Sequence, residues 1–353
     1  MVDKKTSLKD LATYLGMSQT TVSRGLSGYP EVAETTKAKI RDAASELNYA
    51  PSSSAKKLSI GKALTIGHII PLSEHMTLNP FYADFIAGAG ETYAQSGYDM
   101  LISMVGSDQE LQAYRELTNS QKVDGFVLSE PVSNDPRITL LQKLNVPFVL
   151  HGRSFDKNNV HGNYNWLDVN NQQGFELATR YLLELGHRDI GLINGLETFD
   201  FAHRRRLGFE AAMTAFNAPI HDNWLFNIDM TEYNGFEVAR KLLDQPHYPT
   251  AIICSSVLLA MGLQRAMSLN GQVLGRDISL ICWDDCLSAF DAKTDPPQFT
   301  AMRSSIFEAG ALVAEMLLSQ INDPSQHVRS HVLEAELVVG QSTDIGPHYQ
   351  AMA

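Results

Sequence analysis

The chain has 353 residues, of which 44% are hydrophobic and 19% charged, with a formal net charge of −12. That balance fits a globular chain and excludes disordered, fibrous and transmembrane classes: no apolar run approaches the roughly 20 residues of a membrane span, and no signal-peptide pattern opens the sequence. Cys254, Cys282 and Cys286 have no metal-ligand spacing and are expected to be reduced thiols, and no metal or cofactor is implied.

Residues 7–26 read SLKDLATYLGMSQTTVSRGL. Leu8, Leu11, Ala12 and Leu15 share one face of a helix. Gly16 permits the positive φ of a tight turn, and Ser18 suits the cap of a second helix. Val22 and Leu26 line the inner side of that helix. Gln19, Thr20, Ser23 and Arg24 lie on its outer side, and all four can hydrogen-bond base edges or phosphates. Ser7, Ser18 and Thr21 join them as candidate DNA contacts. A third helix is expected from about Glu34 to Leu47, with Ile40, Ala43, Ala44 and Leu47 inward. This is the pattern of a helix-turn-helix, whose second helix enters the major groove N-terminus first. A small helical cap without a DNA role is the plainer alternative. Charge favours DNA: residues 1–62 carry a net +4 and residues 63–353 a net −16.

Residues 51–62 begin Pro51-Ser52-Ser53-Ser54-Ala55-Lys56-Lys57-Leu58. The serines suit a helix start, but some seven residues are too few for a helix to stand alone. The segment is expected to fold only with a second copy and DNA present, as an order–disorder switch rather than a plain linker.

From residue 63 onward, strands and helices alternate. Ala63–Pro71 reads as a strand, Phe81–Ser96 as a helix, Asp99–Val105 as a strand and Gln109–Gln121 as a helix. Gly125–Ser129 and Pro147–His151 are strands flanking a helix at Pro136–Leu144. Helices follow at Gln172–Leu185, Arg204–Phe216, Asn234–Leu243 and Leu258–Leu269, with strands at Asp189–Asn194, Ala251–Ser255 and Ile278–Asp284. Repeated βα units predict two parallel, doubly wound sheets, and 291 residues suffice for two lobes. Ligands of such sheets bind beyond the carboxyl ends of the strands. The residues there are Asn79, Phe81, Tyr82, His151, Arg153, Arg205, Ser255, Ser256, Trp283, Asp284 and Asp285. Arg and Asp can pair with adjacent hydroxyls while aromatic rings cover an apolar face, which is the chemistry of a sugar site. Lobe-packing ion pairs and core aromatics are the duller explanations.

The residues Leu8-Lys9-Asp10-Leu11-Ala12, Gly16-Met17-Ser18, Thr21-Val22-Ser23-Arg24, Leu47-Asn48-Tyr49-Ala50-Pro51, Ala55-Lys56-Lys57-Leu58 and Ile66-Gly67 resemble the head and hinge of the lactose/galactose-repressor (LacI/GalR) family. The resemblance extends to about residue 342. It implies an all-α DNA-binding head (1–50), a hinge (51–62) and a periplasmic-binding-protein-like α/β core (63–353). The first lobe would comprise about 63–165 plus 300–328, and the second 166–299 plus 329–353. It implies base contacts by Gln19, Thr20 and Arg24, approach of Ala55 to the minor groove, and insertion of Leu58 there. It places Arg205 and Asp284 at effector-clamping positions and Phe81, Tyr82 and Met230 at pocket walls. It also implies a cytoplasmic homodimer on a pseudo-palindromic operator, controlled by a small sugar, with the 147–153 stretch resembling a glucoside- and oligosaccharide-sensing subgroup. No leucine heptad follows the core, so a dimer rather than a tetramer is expected. Four positions depart from the family: Ala33 replaces a capping Ser, His151 stands where many members carry Asp, and Ser256-Val257 replaces Asn-Asp.

An enzyme and a secreted sugar-binding protein are the alternatives. Gly88-Ala89-Gly90 lies inside a predicted helix and lacks the third glycine of a dinucleotide loop. No Gly-x-Ser-x-Gly elbow, Walker loop or His-Glu-x-x-His motif is present.

Overall fold

The computed structural model describes residues 6–26, 28–49, 61–71, 80–154, 162–284, 286–288 and 295–349. The chain forms two compact units, Met1–Leu64 and Thr65–Ala353.

In the first unit, three helices form: α1 (Leu8–Leu15), α2 (Gln19–Leu26) and α3 (Glu34–Glu46). Ser7 and Asp10 start α1 with a reciprocal capping box. Gly16 ends it at φ 63°, in the left-handed region that the turn requires. The Ser18 hydroxyl accepts the Thr21 N–H at 3.1 Å, so it caps α2. Ala33 precedes α3 without a side-chain cap. Leu11, Ala12, Val22, Ile40, Ala43 and Ala44 form the core, with Leu8, Leu15, Leu26 and Leu47 packed around it.

The second unit contains two six-stranded sheets. The first takes β1 (Thr65–Pro71), β2 (Asp99–Val105), β3 (Gly125–Ser129), β4 (Phe148–His151), β5 (Asn165–Val169) and β11 (Ser330–Leu333), in the order β11-β5-β4-β3-β1-β2. The second takes β6 (Ile190–Asn194), β7 (Leu225–Asn227), β8 (Ala251–Cys254), β9 (Ser279–Trp283), β10 (Thr300–Arg303) and β12 (Glu336–Val338), in the order β12-β10-β9-β8-β6-β7. All pairings are parallel except β10 with β12. Helices α4 (Pro80–Gln95), α5 (Glu110–Asn119), α6 (Pro136–Leu144) and α11 (Ile306–Asn322) belong to the first lobe. Helices α7 (Asn171–Glu184), α8 (Asp200–Ala215), α9 (Glu232–Leu243) and α10 (Val257–Leu269) belong to the second. Buried runs such as Ile190–Asn194 and Ala251–Cys254 are what strands covered on both faces require.

The chain crosses between lobes three times, after β5, after β10 and after β11. The lobe limits expected at 165/166, 299/300 and 328/329 each move accordingly. β5 and β11 lie in the first sheet, and β10 lies in the second. These strands are four or five residues long, too short to show a period. Helix α8 begins at Asp200 rather than at Arg204, so Arg205 is its sixth residue. Gly88 and Gly90 sit inside α4, the first against α11 and the second towards Met100 of β2, not in a phosphate-binding turn. No described helix is long and apolar enough to cross a membrane.

Candidate functional site

The head presents its polar residues outward. Gln19, Thr20, Ser23 and Arg24 are exposed on α2, while Val22 between them is buried. Gly25 approaches Ile40 so closely that a Cβ there would meet its side chain at 2.4 Å, which fixes the pose of α2 on α3. Ser7 and Ser18 have cap roles, and the Ser18 and Thr21 hydroxyls share a 2.8 Å hydrogen bond. Ala55, Leu58, Asn79 and Asp285 lie outside the described residues.

In the second unit, a cavity of about 130 Å³ opens between the two lobes. Arg205 lines it and is only 6% exposed. It gets there because α8 packs tightly on α7: a Cβ at Gly208 would lie 2.0 Å from the Gln172 carbonyl oxygen. Its neighbours point elsewhere, Arg204 to Asp200 and Arg206 to Glu210. Arg205 Nε donates to Asn171 Oδ1 at 2.8 Å and Nη1 to the Ser255 carbonyl at 2.7 Å. The guanidinium lies 4.3 Å from the Trp283 ring centroid and 4.9 Å from that of Phe201. Burial lowers its pKa to about 10, against the opposing pull of Asp284 and Asp168, so it stays charged at neutral pH.

Asp284 follows β9 at φ 49°, a left-handed conformation that Asp tolerates better than most residues. Its Oδ1 accepts from the Ser304 N–H at 2.9 Å and the Ser304 hydroxyl at 3.1 Å. Ser304 is in the β10–α11 crossing, so this carboxylate is attached to a lobe connection. Burial raises its pKa to about 7, with the Ser304 hydrogen bonds and Arg205 pulling the other way. Trp283 both stacks on Phe175, at 5.5 Å, and lines the cavity, so one ring serves the core and the cavity wall.

From the first lobe, Phe81 and His151 reach the cavity. Phe81 also packs against the core of the second lobe. His151 stacks on Phe85 with centroids 4.4 Å apart, and burial drops its pKa to about 4, leaving it neutral. Arg153 lines the cavity too, but its Nε is bound to Asp168 Oδ2 at 2.5 Å. Met230 is a wall residue. Two expected pocket residues are not among those lining the cavity. Tyr82 packs on Phe85, and the buried Ser256 hydroxyl caps α10 by accepting the Leu259 N–H. Ser255 takes the cavity position instead, because only one of two consecutive residues at a strand end can face inward.

Glu130, Asp168, Asn171 and Phe201 also line the cavity and are absent from the sequence-based set. Asp168 and Asn171 flank the end of the unrecognised strand β5. Phe201 falls in the first turn of α8, which the sequence reading began at Arg204. Glu130 follows β3, and the strand-end rule applied there would have found it.

Two family descriptions match the chain. "Bacterial regulatory proteins, lacI family" covers residues 7–52, and "Periplasmic binding proteins and sugar binding domain of LacI family" covers residues 63–338. The chain is 36% identical over 341 residues to the HTH-type transcriptional regulator AglR of Rhizobium meliloti (strain 1021), covering 97% of this chain and 95% of AglR. Among solved structures, it is similar to a transcriptional regulator CelR–cellobiose complex (TM-score 0.71, 25% identity, 96% and 100% of the two chains). It is also similar to a lac repressor dimer bound to operator and the anti-inducer ONPF (TM-score 0.81, 25% identity, 97% and 100%). An exposed polar recognition helix on a three-helix head, followed by a two-lobed core with an arginine–aspartate–aromatic cavity, has the same meaning as these matches: the chain belongs to the LacI family and is a helix-turn-helix transcriptional regulator whose core is the sugar-binding domain of that family.

Proposed function

We propose that the protein is a repressor that holds a pseudo-palindromic operator as a homodimer and releases it when a neutral glucoside of one or more rings occupies the cavity. The observation that carries the ligand class is Arg205, charged and stacked on Trp283 beside Asp284, in a cavity where neutral His151 replaces a further charge. Guanidinium and carboxylate pair with vicinal hydroxyls, and Phe81, Phe201 and Trp283 supply apolar cover. The CelR neighbour, a complex with cellobiose, supports a glucoside-sized effector. The cavity is smaller than the roughly 300–1,000 Å³ usual for small-molecule sites. A disaccharide therefore requires the lobes to move, and that movement is the signal.

A ligand acts only through unequal affinity for two lobe arrangements. The route out of the cavity runs from Asp284 through Ser304 into a crossing segment. In the head, Gln19, Thr20 and Arg24 read base edges while Ser18 and Thr21 meet phosphate. Ala55 and Leu58 act at the minor groove as the hinge folds on DNA. The lac repressor neighbour, a dimer on its operator, supports two-fold binding, and exposed Ile102 and Met104 on edge strand β2 offer apolar surface for a second copy. A regulator that reads an operator works where the chromosome is, in the cytoplasm, and by binding rather than by turnover.

The test is a thermal-shift screen of the full chain against maltose, cellobiose, sucrose, trehalose, glucose and acidic sugars. Ligand at 100 times its Kd adds about 2.7 kcal/mol of stability. One neutral glucoside is expected to raise Tm by several degrees; a response confined to acidic sugars would overturn the assignment.

A further inference from the structure

At the base of the cavity, a buried polar chain passes from one lobe into the other. Arg153 Nε donates to Asp168 Oδ2 at 2.5 Å. Asp168 Oδ1 accepts from Asn171 Nδ2 at 3.2 Å. Asn171 Oδ1 accepts from Arg205 Nε at 2.8 Å, and Arg205 Nη1 ends the chain on the Ser255 carbonyl. Arg153 and Asp168 follow or belong to strands of the first sheet, whereas Asn171 and Arg205 are on helices of the second lobe. The chain therefore spans the first lobe crossing, at Asn170. Asp168 is 4%, Asn171 3% and Arg205 6% exposed, so water does not substitute freely for the two central links.

The chemistry of the middle link is restrictive. Arg205 only donates, while Asp168 and the Val169 carbonyl, which also receives Asn171 Nδ2 at 3.0 Å, only accept. A residue between them must accept on one side and donate on the other. This fixes the amide orientation of Asn171 and excludes Asp or an aliphatic residue in the same role.

We propose that Asn171 is a positioning residue that serves both lobes: it orients Arg205 for the effector and, through Asp168, ties that arginine to the first lobe, so that the chain acts as a latch on the lobe angle. Its consequence for regulation rests on the sugar-site reading above; the latch itself does not. Other contacts close the same cleft and report on it. The Asp200 N–H donates to the Pro131 carbonyl at 3.3 Å, Val132 bridges Phe199, and Ser288 donates to Asp84. If the latch sets the lobe angle, loosening it opens these distant contacts.

The experiment is amide hydrogen exchange by mass spectrometry on the full chain without sugar, comparing wild type, Asn171→Ala and Asp168→Asn. Asn171→Ala removes both central links. Asp168→Asn leaves one accepting oxygen where two are used, so it removes one. The peptide containing Asp200 is expected to exchange at least tenfold faster in Asn171→Ala and by a smaller factor in Asp168→Asn, with β1 and β6 protected as in wild type. Unchanged protection at Asp200 in both variants would overturn the latch. If Asn171→Ala also exposes β1 and β6, Asp168→Asn decides alone: faster exchange at Asp200 with intact strands supports the proposal, and no change refutes it. Because the readout uses no ligand, failure of the sugar screen and failure of the latch are separate results.

Discussion

Replacing Arg205 with Lys keeps the positive charge and removes the planar fork. In the native site, Nε and Nη1 are committed to Asn171 Oδ1 and the Ser255 carbonyl, and Nη2 makes no hydrogen bond to a described residue. That geometry holds one donor ready for a ligand oxygen without further ordering. A lysine ammonium is a single point, and it cannot reach both protein acceptors and a sugar hydroxyl in the same plane. A hydrogen bond to a charged group is worth about 1.5–3 kcal/mol, and the stacking on Trp283 is lost as well. A loss of about 2–3 kcal/mol corresponds to roughly 30- to 140-fold weaker binding. Isothermal titration of Arg205→Lys with the sugar selected by the screen reads this directly, and circular dichroism checks the fold. Operator binding without sugar should be retained. A lysine variant that binds within threefold of wild type would show that the fork does not hold the ligand.

Other expectations follow from the same contacts. Asp284, raised to about 7, gains charge between pH 6 and 8, and a carboxylate accepts sugar hydroxyls better than the acid does. Sugar affinity should thus rise by up to about tenfold over that range, since about a tenth of the group is ionised one unit below its pKa, and the dependence should disappear in Asp284→Asn. The sign for stability is opposite: a raised folded-state value means that the contribution is present below the ordinary carboxylate range and is lost as pH climbs through 7, which thermal melts across pH 5–8 will show. Gly208→Ala should destabilise the core by about 2–3 kcal/mol, because the added carbon collides with the Gln172 backbone, and should lower Tm by roughly 5 °C in calorimetry. Ala33→Ser supplies the missing cap of α3 and should stabilise the head by about 1 kcal/mol in chemical denaturation. Arg24→Ala should relax base preference at one position per half-site, at about 1–3 kcal/mol, in a binding-site selection; an unchanged profile rules out base reading there.

The sequence disclosed most where a single residue type has a single physical use. Gly16 at a left-handed turn, Ser18 at a cap and the buried Val22 between exposed Thr20 and Arg24 follow from local rules, and the helices of the head are where the periodicity puts them. Arg205 is a partial case: Arg204 and Arg206 each pair with a carboxylate on their own helix, and only the middle one turns into the cavity. Legibility failed where placement depends on distant chain. Strand β5 is recognisable only through its pairing with β4 and β11, so Asp168 and Asn171 at its end went unnoticed. The strand-end rule puts Ser256 in the pocket, but the start of α10 claims its hydroxyl as a cap and Ser255 faces the cavity in its place. Arg153 is a candidate ligand group from its place after a strand; its partner Asp168 is visible only once the sheet is formed.

The central claim is that occupancy between the lobes alters the grip of the head on DNA. Fluorescence anisotropy of a labelled operator, titrated with the full chain at fixed salt with and without the bound glucoside, measures it most directly. The expected result is at least a tenfold fall in operator affinity when the sugar is present. Tight sugar binding together with the same operator affinity in both titrations would contradict it.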